Sequence, residues 1–527
     1  MNTQPVLIEG QWKASAGTKT FQAVNPATRE ALPGAYPVSP WDEVERAVRA
    51  ASAAFWRVHG WTGDRFAAFL DRYATNIEAR TADLVATAHA ETALPVEPRL
   101  AKAELPRTTN QLRQAAAAAR DGSWLRPIID SAANIRSMFA PIGPVVVFGP
   151  NNFPFAFNSI AGGDFAAAVA AGCPVIAKGH SSHPGTTRLF AEAALEAARD
   201  TDMPPGFVQL IYRTSHEDGE RLVSHPLVGA CGYTGARATG LVLKAAADRA
   251  GKPIYLELSS INPVFVLPGA IEERAEKIAD EFTGSCLMGT GQFCTNPGLV
   301  VLLAGPRTDS FTDLLRKRFD AAPVGTLLSE GVLKHLEQGI ATLRSAGAEV
   351  IAGGAAGGGA GFSHRNTLLR VTGDQFLANA AALQTEAFGN SSLLVVARDA
   401  GQMRSIAESF EGNLTGCLYS DTSGRDDSLY QQLEPALRQR VGRLLNDKMP
   451  TGVAVSPAMN HGGPFPATGH PGFTSVGMPT AIQRFAMLQC YENVSRQDRL
   501  PAALRDKNPT GKLWRLVNGA WTQGDVA

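Results

Sequence analysis

The sequence predicts an α/β fold carrying two parallel sheets, on three observations. From Val145 onward, short apolar runs alternate with alanine-rich helical stretches, the texture of βαβ units whose strands are buried on both faces. A second series of apolar runs follows Pro253, more strands than one such unit uses, so a second α/β domain beginning near residue 258 is the simplest account. The chain has 527 residues, and at about 150 residues per domain that rules out one small module. Its 44% hydrophobic and 19% charged residues suffice for a large core and are too apolar for a disordered chain.

Taken in order, the first third reads as mostly helical. Ser39 and Pro40 stand as N-cap and first-turn residue before a helical run from Trp41, and further helices are expected at about 62–90 and 98–121. The first set of strands is expected at Val145–Phe148, Pro174–Ala177, Phe207–Tyr212 and Val228–Tyr233. The second set includes Ile254–Leu258, Pro263–Leu267, Leu299–Leu303, Leu393–Val396 and Leu414–Tyr419. The glycine-rich tract 353–361 reads as a surface loop without chemistry. Between Arg136 and Asp164 lie 27 uncharged residues, long enough to raise the question of a membrane span. Prolines 141, 144, 150 and 154, with Asn151, Asn152 and Asn158, would leave polar groups unpaired in lipid. Strand, functional loop and helix is the better reading of that tract.

Composition bounds the partners. The 49 Lys plus Arg cancel the 49 Asp plus Glu, so no overall field draws in nucleic acid or an anionic membrane. Six cysteines are too sparse for a disulfide framework, and the amino terminus lacks a basic segment followed by an apolar one. A cytoplasmic protein with a small-molecule partner is expected.

Cys294 stands in a glycine-flanked polar turn, Gly289–Gly298, before an apolar strand. Backbone amides in such a turn lower a thiol's pKa and hold an oxyanion. The structural alternative is a small buried hydrophobe. Glu257 interrupts an apolar strand before a small-residue turn. A partly desolvated carboxylate with a raised pKa takes a proton from water; the alternative is a strand-end glutamate paired with Lys or Arg. Asn152 follows the Val145–Phe148 strand, where ligands of open α/β sheets bind. Its amide either donates to a developing oxyanion or merely shapes a turn.

For a cofactor, Gly235 and Gly240 lie between a strand and a helical run, a place for a pyrophosphate at a helix start or simply a glycine-rich helix entrance. Lys178 ends a strand, where a lysine suits a ribose or phosphate. His180 and His183 are three apart but lack a third ligand, so no metal site is expected. Motifs for metalloproteases, phosphate-binding loops and serine hydrolases are missing.

In this order Asn152, Lys178, Gly235, Glu257, Cys294 and Glu386 resemble the aldehyde dehydrogenase superfamily across nearly the whole chain. The resemblance implies a Rossmann-type cofactor domain (1–121 and 136–257), an α/β catalytic domain (258–457), and a small oligomerisation element with the carboxyl-terminal segment (122–135 and 458–527). It also implies a homodimer or homotetramer. Gly291-Gln-Phe-Cys294 would supply the nucleophile, Glu257-Leu-Ser-Ser260 the general base, and Asn152 the oxyanion donor. Glu386-Ala-Phe388-Gly389 would place Glu386 on the nicotinamide ribose and Phe388 near the ring.

Departures from the common family pattern are Asn151, Ser259, Ser260 and Asn390. They resemble a subgroup acting on α-ketoglutaric semialdehyde (2,5-dioxovalerate) or on long-chain aldehydes, and His461–Thr468 is similar to that subgroup's substrate-side loop. Where the family commonly has an acid three positions after the strand-end lysine, this chain has Ser181. That removes the charge opposing a 2′-phosphate, so NADP is expected, with NAD the alternative. The implied reaction oxidises an aldehyde to an acid through a cysteine thiohemiacetal and thioester. Transfer of the acyl group to coenzyme A and a catalytically silent homologue are the competing readings.

Overall fold

A computed structural model of the chain describes residues 3–526. Its first sheet has seven strands in the order Ile254–Glu257, Ala230–Thr234, Val145–Phe148, Val175–Lys178, Val208–Ile211, Val6–Ile8 and Gln11–Lys13. The first five run parallel. Val145–Phe148 is buried along its whole length, as its continuous valine-rich run requires. Successive strands lie to one side of it as far as Val208–Ile211, and the chain then returns to its other side with Ala230–Thr234. Such a reversal opens a crevice at the carboxyl ends of the central strands. Phe148, Lys178 and Tyr233 sit abreast there, and Thr234 pairs with Glu257. Every strand-end residue singled out in the sequence therefore falls on one edge.

The second sheet runs Glu349–Ala352, Thr367–Thr372, Ser391–Ala397, Leu299–Leu303, Val264–Val266, Asn413–Tyr419 and Val441–Asn446. It is parallel except for the antiparallel edge strand Glu349–Ala352. A third sheet joins Ala486–Glu492, Ile135–Pro141, Ile128–Asp130, Arg515–Val517 and Ala520–Thr522, so it takes in residues up to 141 and begins again at 486. Residues 458–485 return to the first sheet instead, where Leu258 N–H donates to the Ala467 carbonyl (2.8 Å).

The expected strands lie within two residues of the observed ones. The expected 62–90 helix is divided at Arg80 into Gly63–Ala79 and Thr81–Thr92. The next helix tightens into regular α geometry only at Leu105, after a wider turn over Val96–Glu104. Ser39 is not the N-cap. Helix Trp41–Arg57 is capped by Pro40 without a side-chain bond; the Glu43 and Val44 amides reach the Pro40 carbonyl, while the Ser39 hydroxyl is buried without a partner. Among the described residues no helix is long and apolar enough to cross a membrane.

Candidate active site

Cys294 lies in the turn between helix Pro268–Leu287 and strand Leu299–Leu303. The turn closes tightly because Gly291 adopts φ +68°, and a Cβ there would stand 2.0 Å from the Gly389 carbonyl oxygen. Its backbone is clamped by Asn262, whose Nδ2 donates to the carbonyls of Cys294 (2.9 Å) and Asn296 (2.8 Å). Asn413 Oδ1 in turn accepts the amides of Ile261 (2.9 Å) and Asn262 (3.1 Å). The Ser260 hydroxyl, one of the departures from the family pattern, donates to Asn262 Oδ1 at 2.8 Å and accepts from Leu414 N–H at 3.0 Å. Ser260 thus has a structural use: it ties the segment leaving strand Ile254–Glu257 to strand Asn413–Tyr419 behind the cysteine turn.

The segment 458–485 brings His461, which the sequence places in a substrate-side tract without a role of its own, up to Glu257 and Cys294. His461 Nε2 is 2.8 Å from Glu257 Oε1 and 3.5 Å from Cys294 Sγ. The Ser475 hydroxyl donates to Glu257 Oε2 (3.1 Å). Ligand-type atoms of Glu257, Cys294 and His461 all lie within 4.8 Å of one another. The carboxylate's partners are therefore a histidine and a serine rather than the Lys or Arg that the structural alternative required.

The expected raised pKa of Glu257 is overturned. Burial pushes its carboxyl up, but His461, Ser475 and the Cys294 thiol together outweigh that and hold it below its ordinary value. The Cys294 thiol goes the other way, pushed well up by burial and then by the neighbouring Glu257 carboxylate, against a smaller opposing effect of Arg107. The resting site is a thiol beside a carboxylate, with an imidazole touching both.

Asn152 is buried, and its Nδ2 donates to the Gln292 carbonyl (3.0 Å), two residues before the cysteine. Arg99 holds the Asn152 carbonyl (3.0 Å), and His183 Nε2 contacts the Pro150 carbonyl (2.9 Å). This gives His183 a bracing contact, and its ring stacks on that of His180 at 5.4 Å.

On the crevice side, the Lys178 side chain makes no ion pair or hydrogen bond among the described residues. Burial, and then Arg213, push its ammonium down to about 8. Such a cation without an anion suits a phosphate or ribose. Ser181 lies three residues beyond, partly buried in the turn that follows. Gly235 donates its amide to the Glu257 carbonyl (3.1 Å), and helix Arg237–Arg249 begins without a side-chain cap, leaving amides for an anion. Gly240 is buried; a Cβ there would meet Leu258 Cδ2 at 2.4 Å, so its contribution is close approach of that helix to the sheet. Glu386 and Phe388 line a cavity with Ser260, Gly291, Asn296 and Thr385. Burial pushes the Glu386 carboxyl up to about 7, against weaker effects of Ser259 and Ser260. Asn390, another departure, donates to the His364 carbonyl (2.7 Å) and Asn366 Oδ1 (2.8 Å). The strand-end cation, the uncapped helix and the carboxyl-lined cavity fit a nicotinamide dinucleotide.

Residues 12–455 match the model of the aldehyde dehydrogenase family. The chain is 41% identical to α-ketoglutaric semialdehyde dehydrogenase 2 of Azospirillum brasilense, over 97% of this chain and 98% of that protein. It is 37% identical to α-ketoglutaric semialdehyde dehydrogenase of Acinetobacter baylyi, over 99% of both. The fold is similar to that of a Staphylococcus aureus betaine aldehyde dehydrogenase solved with NAD+, at TM-score 0.80 and 19% identity over 94% of this chain and 97% of that one. The chain belongs to the aldehyde dehydrogenase family, and is an NAD(P)-dependent oxidoreductase converting an aldehyde to a carboxylic acid.

Proposed function

We propose that this enzyme oxidises α-ketoglutaric semialdehyde to 2-oxoglutarate with NADP as the preferred acceptor. The observation that carries the substrate is full-length identity of 41% and 37% to two relatives bearing that name. In this reading Cys294 Sγ bonds to the aldehyde carbon, and its proton passes to the Glu257–His461 pair beside it. The resulting alkoxide is held by Asn152 Nδ2 and the Cys294 N–H. The nicotinamide cofactor, when bound, supplies the acceptor for the hydride leaving that carbon. Cys294 then carries a thioester. Once the pair has released the first proton to solvent, Glu257 takes a proton from water, the water oxygen bonds to the acyl carbon, the C–S bond breaks, and the proton passes back to sulfur as the acid leaves, restoring the thiol. His461 and Ser475 act as positioning residues that aim the Glu257 carboxylate.

Lys178, Ser181 and the Gly235 turn would hold the adenosine half of the cofactor, with Gly240 bringing the helix start into range; Glu386 and Phe388 would hold the nicotinamide half. The absence of an acid at Ser181 supports NADP. A panel of aldehydes assayed with each cofactor tests both assignments. We expect α-ketoglutaric semialdehyde to give the highest kcat/KM and NADP to exceed NAD. Ser181→Glu should cut kcat/KM for NADP by about tenfold or more through like-charge repulsion. Strict NAD preference in the unaltered enzyme would remove the NADP assignment. Turnover that requires coenzyme A would replace hydrolysis with acyl transfer.

A pH effect follows from Glu386. With its carboxyl pushed up to about 7, it is largely protonated below that pH and ionised above it. Only the carboxylate accepts from two ribose hydroxyls, so the KM for cofactor should fall as pH rises through about 7. In Glu386→Gln that dependence should flatten; initial-rate measurements against pH check it.

We further assign the first sheet and its helices to the cofactor domain and the second sheet to the catalytic domain, with residues 458–485 completing the active site. The third sheet would serve assembly. Its strands and the adjoining tail expose Met487, Leu488, Trp514 and Trp521, apolar surface suited to contact between copies. Light scattering should show a dimer or tetramer.

A further inference from the structure

We infer that Arg107 is the anchor for the far carboxylate of an ω-carboxylated aldehyde, held across two phenylalanine rings from the Cys294 turn. The inference rests on the reading of the substrate as a semialdehyde of an acid. It starts from helix Leu105–Asp121, where Arg107, Gln111 and Gln114 fall at i, i+4 and i+7 and share one face. Gln111 Nε2 donates to the Ala156 carbonyl (2.9 Å) and Gln114 Nε2 to the Val455 carbonyl (3.4 Å). That face is therefore turned toward the segment after Asn152 and the segment before His461. Between them lies an apolar cluster that includes Phe153, Phe157, Phe293 and Val476.

The Arg107 guanidinium lies over the rings of Phe153 (5.7 Å) and Phe157 (5.3 Å). Each ring reaches the reaction centre. Phe153 meets Phe293, the neighbour of Cys294 in the chain, edge to face at 5.3 Å. Phe157 lies 5.7 Å from the His461 imidazole. Arg107 is thus one aromatic layer removed from the groups that touch the sulfur.

Its charge is met by no direct ion-pair partner among the described residues. The nearby Glu104 is committed elsewhere: Oε1 accepts the Phe155 and Ala156 amides (2.8 and 3.0 Å), and Oε2 is 2.7 Å from Arg99 Nη1. Among the described residues Arg107 forms no ion pair, and its Nη2 is buried without a hydrogen-bond partner. Its one side-chain hydrogen bond among the described residues is from Nε to Gln111 Oε1 at 3.5 Å. Burial pushes the guanidinium down, with Glu104, Cys294 and Glu257 working the other way, so the reacting groups lie close enough to feel it. Gln114 Oε1, on the same face, is also buried and unpartnered. An enclosed, unpaired guanidinium is costly unless a ligand completes it. A planar fork between aromatic faces selects a carboxylate. An alkyl chain would leave the charge bare, which sets an acid semialdehyde apart from a fatty aldehyde.

The test compares the intact enzyme with Arg107→Met and Arg107→Lys, at saturating cofactor. The substrates are α-ketoglutaric, glutaric and succinic semialdehydes, with neutral pentanal. We expect the ratio of kcat/KM for acid over neutral aldehyde to fall about 10- to 100-fold in Arg107→Met, carried by KM, with Arg107→Lys intermediate. Glutarate should raise the thermal midpoint of the unaltered enzyme and not that of Arg107→Met. If the methionine variant does not fold, the ratio in Arg107→Lys decides: an unchanged ratio overturns the inference, a lowered one supports it. An unchanged ratio in a folded Arg107→Met overturns the inference and leaves the substrate reading standing. A ratio that collapses while the unaltered enzyme favours another acid semialdehyde supports the inference and refutes α-ketoglutaric semialdehyde. No preference for any acid overturns both.

Discussion

Cys294→Ala should lose turnover by about 10⁴-fold or more, because the covalent route ends with the sulfur and the remaining groups have nothing to deprotonate or hydrolyse. Steady-state formation of reduced cofactor across the aldehyde panel measures it, and a fully active variant would remove the assignment. The thiol chemistry has its own signature. Burial holds Cys173, Cys231 and Cys286 up at about 12, with no access for a reagent, whereas Cys490 is exposed. Slow alkylation should therefore reach Cys490 and the partly buried Cys294. The Cys294 rate should climb with pH to beyond 9, since its thiol is pushed well above that ordinary value. Loss of that pH-dependent label in Cys294→Ala ties the reactivity to the site.

Glu257→Gln should turn steady turnover into a burst. A first equivalent of reduced cofactor forms as the thioester accumulates, and hydrolysis then slows by about 10²- to 10⁴-fold for want of a base. The same substitution removes the charge that raises the Cys294 thiol, so alkylation at a fixed pH should become faster even as turnover collapses. Opposite movement of these two readouts is hard to obtain from general damage to the fold. His461→Gln should slow hydrolysis less, and His461→Gln added to Glu257→Gln should cost little further, because the imidazole acts through the carboxylate it contacts at 2.8 Å. Rapid-mixing measurements of burst and steady state distinguish these cases. A Glu257→Gln enzyme with normal steady-state turnover would exclude the carboxylate as the base.

The parts of this molecule that were legible in the sequence are those whose signal is local. Val145–Phe148 announces itself as a run of apolar residues because a central parallel strand has no solvent face. Cys294, Glu257 and Asn152 stand out for local reasons too, since Glu257 ends an apolar strand and the other two sit in polar turns beside one. His461 was not, since it lies 167 residues from Cys294 and 204 from Glu257, in a loop of glycine and proline without periodicity; only its place at the start of a family-like tract hinted at it. The third sheet was hidden for a similar reason, pairing Ile135–Pro141 with Ala486–Glu492 across most of the chain. Val6–Ile8, only three residues long, is too short for alternation to register. The sign of the Glu257 shift is opposite to what burial alone dictates, because the histidine that opposes burial comes from 204 residues away.

The grip of Asn262 on both carbonyls at 294 and 296 bears on how the enzyme moves between its half-reactions. With the peptide that follows Cys294 and the one two residues further on both held, the side chain's main freedom is its own χ1, which has three staggered wells. Any swing of the sulfur between attack and release should therefore be a change of that one side-chain torsion, with the backbone that carries it left in place.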